Sequence, residues 1–511
     1  MKYAISVHYN GKTHTIYAEQ GKTLAAILRE HGFPVDMPCG GNGTCGKCGI
    51  RVSVDGGKPA AQKACRLQIA ADTAVWLDRA QRERVLLSGR RDALRIRPNV
   101  ELGEPPNLGA AIDIGTTTVA AWLYDLKSGV RLGEVGEPNV QRAYGADVIS
   151  RIQYSIEHPG GTAQLRDALR SQINHMLGAL HSKKSQIRYL SITGNTTMLH
   201  LLSGLNPSSM ACTPYTPQSL FGEEYPAAEL GLSCKRARAF LAPAVSAYVG
   251  GDITAGVLAT RLYRKRKFGV LVDVGTNGEI VAGDHKGLYC CAAAAGPAFE
   301  GASIACGMTA REGAVCRVDW KEGRLCYDVI GAAAPQGICG SGLIDLLAVL
   351  LRTGAVDRGG RLLPRGEAPQ EVRPYLTRDD QNRVCFHITR QVFLTEEDVR
   401  KLQLAKAAIR AGIQVLIDAC GRSVEEIHTL FLAGGFGNAL RKESAVEIGL
   451  IPPVLLAKIH PVGNAAGSGA IQALLNAEEK KALLRVAARM QYRELSGNPA
   501  FEQEYLDAMY F

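Results

Sequence analysis

The chain of 511 residues is 46% apolar, carries 14 cysteines and has a formal net charge of +10. Single cores seldom grow past about 250–300 residues, so several domains are expected. No run of about 18 apolar residues occurs, and the opening segment MKYAISVHYNGKTHTIYAEQ has no apolar export signal, so a cytoplasmic protein with no membrane partner is expected. In that compartment cysteines serve as metal ligands or stay free thiols rather than form disulfides. The positive charge is scattered. Its densest runs, Arg79 to Arg97 and Arg261 to Lys267, carry neither a nucleic-acid motif nor a series of stacking aromatics, so no nucleic-acid partner is expected.

In chain order, YAISVHY and KTHTIYA alternate with period two and are joined by Asn10-Gly11, a hairpin signal. Leu24, Ile27 and Leu28 then recur at helical spacing before Gly32 and Pro34 end the helix. The segment PCGGNGTCGKCGI follows, with a strand predicted from Ile50 to Val54. It places Cys39, Cys45 and Cys48 at Cys-x5-Cys-x2-Cys spacing, with Cys65 sixteen residues further on. Thiolates are soft ligands suited to iron–sulfur clusters or zinc. Gly40, Gly41, Gly43, Gly46 and Gly49 let the backbone wrap an inorganic core and aim N–H groups at its sulfurs. Zinc sites usually pair two short knuckles, and only one is present here. The plant-type ferredoxin spacing is one residue shorter in its first gap. Residues 1–78 therefore resemble a β-grasp ferredoxin that holds a 2Fe-2S cluster.

The stretch 79–107 is rich in arginine and ends in Pro105-Pro106, which reads as a linker. Beyond it, AIDIGTTTVAAW and LVDVGTNGEIVAG repeat one plan: an apolar strand, a tight turn and a second apolar strand. The first turn carries Asp113, Gly115, Thr116, Thr117 and Thr118; the second carries Asp273, Gly275, Thr276, Asn277, Gly278 and Glu279. In such a turn the glycine lets the backbone approach a phosphate and the hydroxyls and N–H groups donate to its oxygens. The aspartate holds a magnesium ion through its water shell. A third element, the predicted strand Leu430 to Ala433, runs into Gly434, Gly435, Phe436 and Gly437 and then a helix. A glycine pair at that corner lets a purine lie flat against the backbone.

Two phosphate turns on duplicated halves, followed by Gly-Gly on a strand-to-helix corner, resemble the superfamily of acetate and sugar kinases, heat-shock chaperone ATPases and actin. The expected fold class is thus α+β and α/β multidomain: a β-grasp ferredoxin, a linker, then a duplicated RNase H-like ATPase. The ATPase divides into subdomains at 108–267 and 268–511, the second ending in carboxy-terminal helices. ITGNTTMLH, VGGDITAG, AAAAGPAFEGASI, GICGSGLID and NVQRAYGADVISRI stand at loop positions. With the amino-terminal cluster domain, they resemble the reductive activators of corrinoid-dependent proteins, ATPases that return an oxidised corrinoid cobalt from Co(II) to Co(I).

The resemblance implies a 2Fe-2S cluster, ATP and Mg2+ as cofactors. The partners it implies are a corrinoid protein of a methyltransferase system and a low-potential electron donor. Some members dimerise through an additional domain between linker and ATPase. This chain reaches its first phosphate turn within about thirty residues of the linker's start, so a homodimer is left open. Two other functions remain open: an ATP-dependent electron activator of a dehydratase or reductase, and a redox-gated small-molecule kinase for which Asp252 is the candidate base. The ten cysteines outside the cluster loop and His200 are read as structural.

Overall fold

The computed structural model describes residues 2–9, 12–31, 33, 35, 43, 48–77 and 94–511. The first unit contains β1 (Lys2–Tyr9), β2 (Lys12–Glu19), α1 (Leu24–Glu30), β3 (Gly49–Val54), β4 (Ala60–Lys63) and β5 (Thr73–Trp76). Its sheet order is β2-β1-β5-β3-β4, with β1 antiparallel to β2 and parallel to β5. Thr23 caps α1 by accepting from Ala26 N, and Leu24, Ile27 and Leu28 are buried among Ile5, Val7, Val52 and Val75. The predicted Asn10-Gly11 turn, Cys39, Cys45 and residues 78–93 lie outside the described residues.

Residues 94–107 run along the second unit. Leu94, Ile96 and Val100 pack against its core. Arg97 N donates to Leu475 O at 2.9 Å, Ala477 N donates back to Arg97 O at 2.8 Å, and Asn99 Nδ2 reaches the carbonyls of Ala473 and Leu474, both at 2.8 Å. Composition concealed this strap, because its apolar residues Leu94, Ile96, Val100 and Leu102 are interspersed with the arginines and prolines that read as a linker.

Two lobes of like topology follow. The first contains β6 (Leu108–Ile114), β7 (Thr118–Asp125), β8 (Arg131–Pro138), α2 (Val148–Glu157), α3 (Gly161–Leu180), β9 (Ile187–Gly194), α4 (Thr196–Ser203), β10 (Glu224–Pro226), β11 (Arg238–Leu241) and α5 (Gly251–Thr260). The second opens with β12 (Gly269–Val274), β13 (Gly278–Gly283) and β14 (Leu288–Ala293). Two small three-stranded sheets and helix α6 (Gly340–Arg352) are inserted next, before α7 (Glu396–Ala419). The lobe continues with the strand Thr429–Ala433, α8 (Gly434–Ala439), the strand Ile459–Gly463, α9 (Ala465–Leu475) and α10 (Ala477–Arg489), and closes with the strand Met490–Tyr492, the sixth of its sheet, and the helix Pro499–Asp507.

The larger sheets each have six strands. Within the first, the order β11-β9-β6-β7-β8 matches 459–463, 429–433, β12, β13, β14 in the second. In both, an antiparallel hairpin carries the turn and a parallel strand lies beside its first arm.

Helices α5 and α9 occupy equivalent places in the two lobes and pack on each other, with Ile253, Leu258, Leu271, Phe431 and Leu474 in one shared core. Their approach depends on small residues. A Cβ on Gly469 would stand 2.1 Å from Ala255 O, and one on Gly467 would stand 2.3 Å from the Trp122 ring. Gly469→Val is therefore expected to cost about 1–3 kcal/mol or more by forcing the helices apart, read as a lower urea midpoint of the second unit. An unchanged midpoint would contradict this packing.

Candidate functional site

Both turns open onto one cleft between the lobes, a cavity of about 310 Å³. Asp113, Gly115, Thr116, Thr117 and Thr118 line it from the first lobe, and Asp273, Gly275, Thr276, Asn277 and Glu279 from the second. Asp252, in the first turn of α5, also reaches it, as do Gly434 and Gly435. Gly278 and Gly437 do not line it. Gly278 sits under α7, where a Cβ would meet Ile409 at 2.6 Å, and Gly437 backs onto Leu432 at 3.0 Å.

Each turn is held by its own backbone. Gly115 N donates to Thr118 O and Gly275 N donates to Asn277 O, both at 2.9 Å. The first turn is also braced from outside: Asn195 Nδ2 donates to Thr116 Oγ1 at 3.0 Å, Asn139 Nδ2 to Gly115 O at 2.8 Å, and Arg151 Nη2 to Thr116 O at 2.6 Å. Gly434 has φ of 90°, and a Cβ there would lie 2.6 Å from Asp273 Oδ1, so conformation and space both demand glycine. Gly435 faces open space, and any side chain would fill part of the cleft.

The lobes exchange polar groups at equivalent helix starts. Asn464 caps α9 and donates to Asp113 Oδ2 at 2.8 Å, while Asp252 at the start of α5 bears on Asp273. Of the five acids that line this buried cleft, Asp113, Asp252, Asp273 and Glu279 bear on one another. Burial pushes Asp113 up to about 6 against the opposing Asn464 bond. Burial, with Asp113 adding repulsion, takes Asp273 to about 7. Burial, then Asp273 and Asp113, lifts Asp252 to about 8, and Glu279 is driven well above the usual carboxyl range by burial, Asp252 and Asp273.

Such crowding is unfavourable unless a cation offsets it, and oxygen-only donors suit a hard ion such as Mg2+. Among the described residues no three His, Cys, Asp or Glu side chains converge closely enough to grip a metal directly, so these carboxylates fit an ion held through its water shell. The open face at Gly435 and the donors of both turns fit a nucleotide.

In the first unit, Cys48 immediately precedes β3 and Cys65 follows β4; both are buried and their Sγ atoms lie 3.1 Å apart. Two converging thiols are the donor chemistry of a thiolate-held cluster. Cys290 and Cys291 lie buried in β14, and burial pushes Cys290 up to about 12 and Cys291 well above the usual thiol range. His200 is spent on structure: its Nδ1 meets Thr196 O at 2.7 Å and its Nε2 accepts from Gln218 N at 3.1 Å.

Asn195, Asn464, Arg151 and Glu300 reach the site or its braces without having been assigned a role from sequence. Asn195, Arg151 and Glu300 fall within ITGNTTMLH, NVQRAYGADVISRI and AAAAGPAFEGASI, segments expected at loop positions; Asn195 caps α4 and Glu300 ends a short 3-10 turn, whereas Arg151 lies within α2.

A thiol-bearing β-grasp unit joined to a two-lobed cleft with duplicated phosphate turns defines a class: a ferredoxin domain fused to a nucleotide-binding domain of the actin and sugar-kinase type. Residues 7–70 match the 2Fe-2S iron-sulfur cluster binding domain, 108–265 the RACo middle region, and 267–511 the C-terminal ASKHA domain of RACo. The chain is 34% identical over 451 residues to the corrinoid activation enzyme RamQ of Eubacterium limosum, covering 84% of this chain and 74% of that protein. It is 24% identical over 417 residues to the [Co(II) methylated amine-specific corrinoid protein] reductase of Methanosarcina barkeri, covering 75% and 72%. The solved structure of a reductive activator for corrinoid, iron-sulfur protein superposes with a TM-score of 0.73 at 31% identity, over 100% of this chain and 98% of that one. The chain belongs to the RACo family.

Proposed function

We propose that this protein uses ATP to drive the one-electron reduction of a corrinoid protein from Co(II) to Co(I). The observation that carries the reading is the presence, in one chain, of a thiol-lined ferredoxin unit and a cleft bearing both phosphate turns, in a sequence related along most of its length to corrinoid activation enzymes. Cys39, Cys45, Cys48 and Cys65 are the residues to hold a 2Fe-2S cluster, which when bound supplies single electrons. In the cleft, the hydroxyls of Thr116, Thr117, Thr118 and Thr276 and the turn N–H groups donate to phosphate oxygens. Asp113 and Asp273 orient the water shell of Mg2+, and Gly434 and Gly435 leave room for the base. Asp252, facing Asp273, positions water for hydrolysis. The working compartment is the cytoplasm.

Energetics explain why a nucleotide is needed. Co(I) in a corrinoid lies at a very low potential, and each deficit of about 59 mV costs a factor of ten in a one-electron equilibrium. Phosphate chemistry does not touch the electron, so ATP acts by differential affinity. The nucleotide-bound form grips the oxidised corrinoid protein in a state whose cobalt is easier to reduce, and hydrolysis releases the product.

Such coupling is reciprocal. Titrating the full-length protein with its Co(II) corrinoid protein, with and without a non-hydrolysed ATP analogue, is expected to show tighter binding with the analogue. Analogue affinity should rise by the same factor, on the order of tenfold. Equal affinities with and without nucleotide would contradict the coupling.

A further inference from the structure

Glu300 lies in the cleft but belongs to neither phosphate turn. It ends the short 3-10 turn Pro297–Glu300, entered through Gly296 at φ of 74°. Its Oε1 accepts from Thr276 Oγ1 at 3.0 Å, and Thr117 Oγ1 donates to Oε1 at 3.4 Å and to Oε2 at 3.3 Å. The Thr276 bond is the shorter, and both hydroxyls are within reach of one carboxylate. One side chain of the second lobe thus bridges both turns, and with them both lobes. Arg142 and Arg151 are the cationic groups that bear on it, and Arg151 also holds the first turn through Thr116 O.

A carboxylate and a terminal phosphoryl group present the same chemistry to a hydroxyl: anionic oxygens that only accept. A threonine hydroxyl donates one proton, so a single Thr117 and a single Thr276 cannot serve both at full strength. Hydroxyls of both lobes meet only between the two turns, and on the ATP reading of the cleft the third phosphate, which ADP lacks, is the group that would extend there. We propose that Glu300 discriminates ATP from ADP: its carboxylate holds the Thr117 and Thr276 hydroxyls, and the terminal phosphoryl group of ATP, but not the shorter ADP, must take them from it. This rests on the ATP reading of the cleft.

A displaced Glu300 does not move alone. The loop that follows is tight, since a Cβ on Gly307 would stand 2.2 Å from Gly301 O. It is tied to the start of α7, where Ala305 N donates to Asp398 Oδ1 and Lys401 Nζ to Ser303 O, both at 3.0 Å. Loss of the Glu300 bridge therefore pulls on the first turn of a 24-residue helix that packs on β13 and β14, the strands that follow the second phosphate turn. Glu300 is a positioning residue in this scheme, with the third phosphate as its competitor.

The test is nucleotide affinity of the cluster-loaded, full-length protein at fixed Mg2+, measured by calorimetry with a non-hydrolysed ATP analogue and with ADP. Glu300→Ala removes the competitor and its negative charge, so the analogue should bind about tenfold tighter while ADP changes by less than about twofold. Glu300→Gln keeps the shape and an acceptor oxygen without the charge, so it should move the same ratio in the same direction by less. It also decides the matter should the alanine variant not fold. A general loosening of the cleft would shift both nucleotides alike. Equal shifts for the two nucleotides, or weaker analogue binding in either variant, would overturn the proposal. Failure of the parent protein to bind either nucleotide would instead overturn the ATP reading of the cleft, and the proposal with it.

Discussion

Asp113→Ala and Asp273→Ala are each expected to reduce magnesium-dependent ATP hydrolysis by at least about a hundredfold, the scale of removing one organising group from a preorganised charged site. The two carboxylates stand at the ends of β6 and β12, one on each lobe, so each variant removes one of the two groups proposed to order the water shell of Mg2+. Misfolding is excluded as the cause by a stability measurement whose sign is fixed. A carboxyl with a raised pKa in the folded protein holds a proton that the unfolded chain has released, so it costs stability above its ordinary value. That cost is fully present above about pH 6 for Asp113 and about pH 7 for Asp273. Alanine removes it, which offsets the lost Asn464 bond at Asp113. At pH 8 without nucleotide, both variants should melt at or near the parent temperature, with the cluster spectrum unchanged. Hydrolysis at the parent rate in both would show that the two turns do not organise the metal.

Serine at Cys39, Cys45, Cys48 or Cys65 should strip or destabilise the cluster, because a hydroxyl is a harder and far less acidic ligand than a thiol. The protein purified without oxygen should be red-brown with about two irons and two sulfides per chain. The serine variants should lose most of that iron and visible absorption. Nucleotide hydrolysis should persist, because the two-lobed unit keeps its own core and the strap 94–107 is tied to that unit. Zinc in place of iron in the parent would contradict the cluster assignment.

Much of this architecture was legible in the sequence because it is written locally. The period-two strands around residues 2–19, the capped helix at Leu24–Glu30 and the glycine-threonine turns each place their signal within about ten neighbouring residues. The cleft gathers most of the turn residues chosen by that reading. Gly278 and Gly437 lie outside the cleft lining because glycine also serves close packing: a Cβ at Gly278 would collide with Ile409, and one at Gly437 would press tightly on Leu432.

What the sequence concealed is long-range. Asn464 meets Asp113 across 351 positions, and Glu300 reaches Thr117 across 183. Neither partner has a spacing that marks the pair. The duplication itself offered one unused signal: Asn464, at the start of α9, occupies the place that Asp252 neighbours at the start of α5.

The central claim is that nucleotide drives the electron transfer, and one measurement tests it most directly. The intact, cluster-loaded protein is mixed without oxygen with a low-potential donor and a corrinoid protein poised as Co(II), with and without Mg-ATP, and Co(I) is followed by its absorption. Co(I) should accumulate with ATP and stay near background without it, and a fragment beginning near Leu94, which keeps the strap, should form none in either case. Equal accumulation of Co(I) by the intact protein with and without ATP would contradict the account and return the cleft to a separate phosphoryl-transfer role.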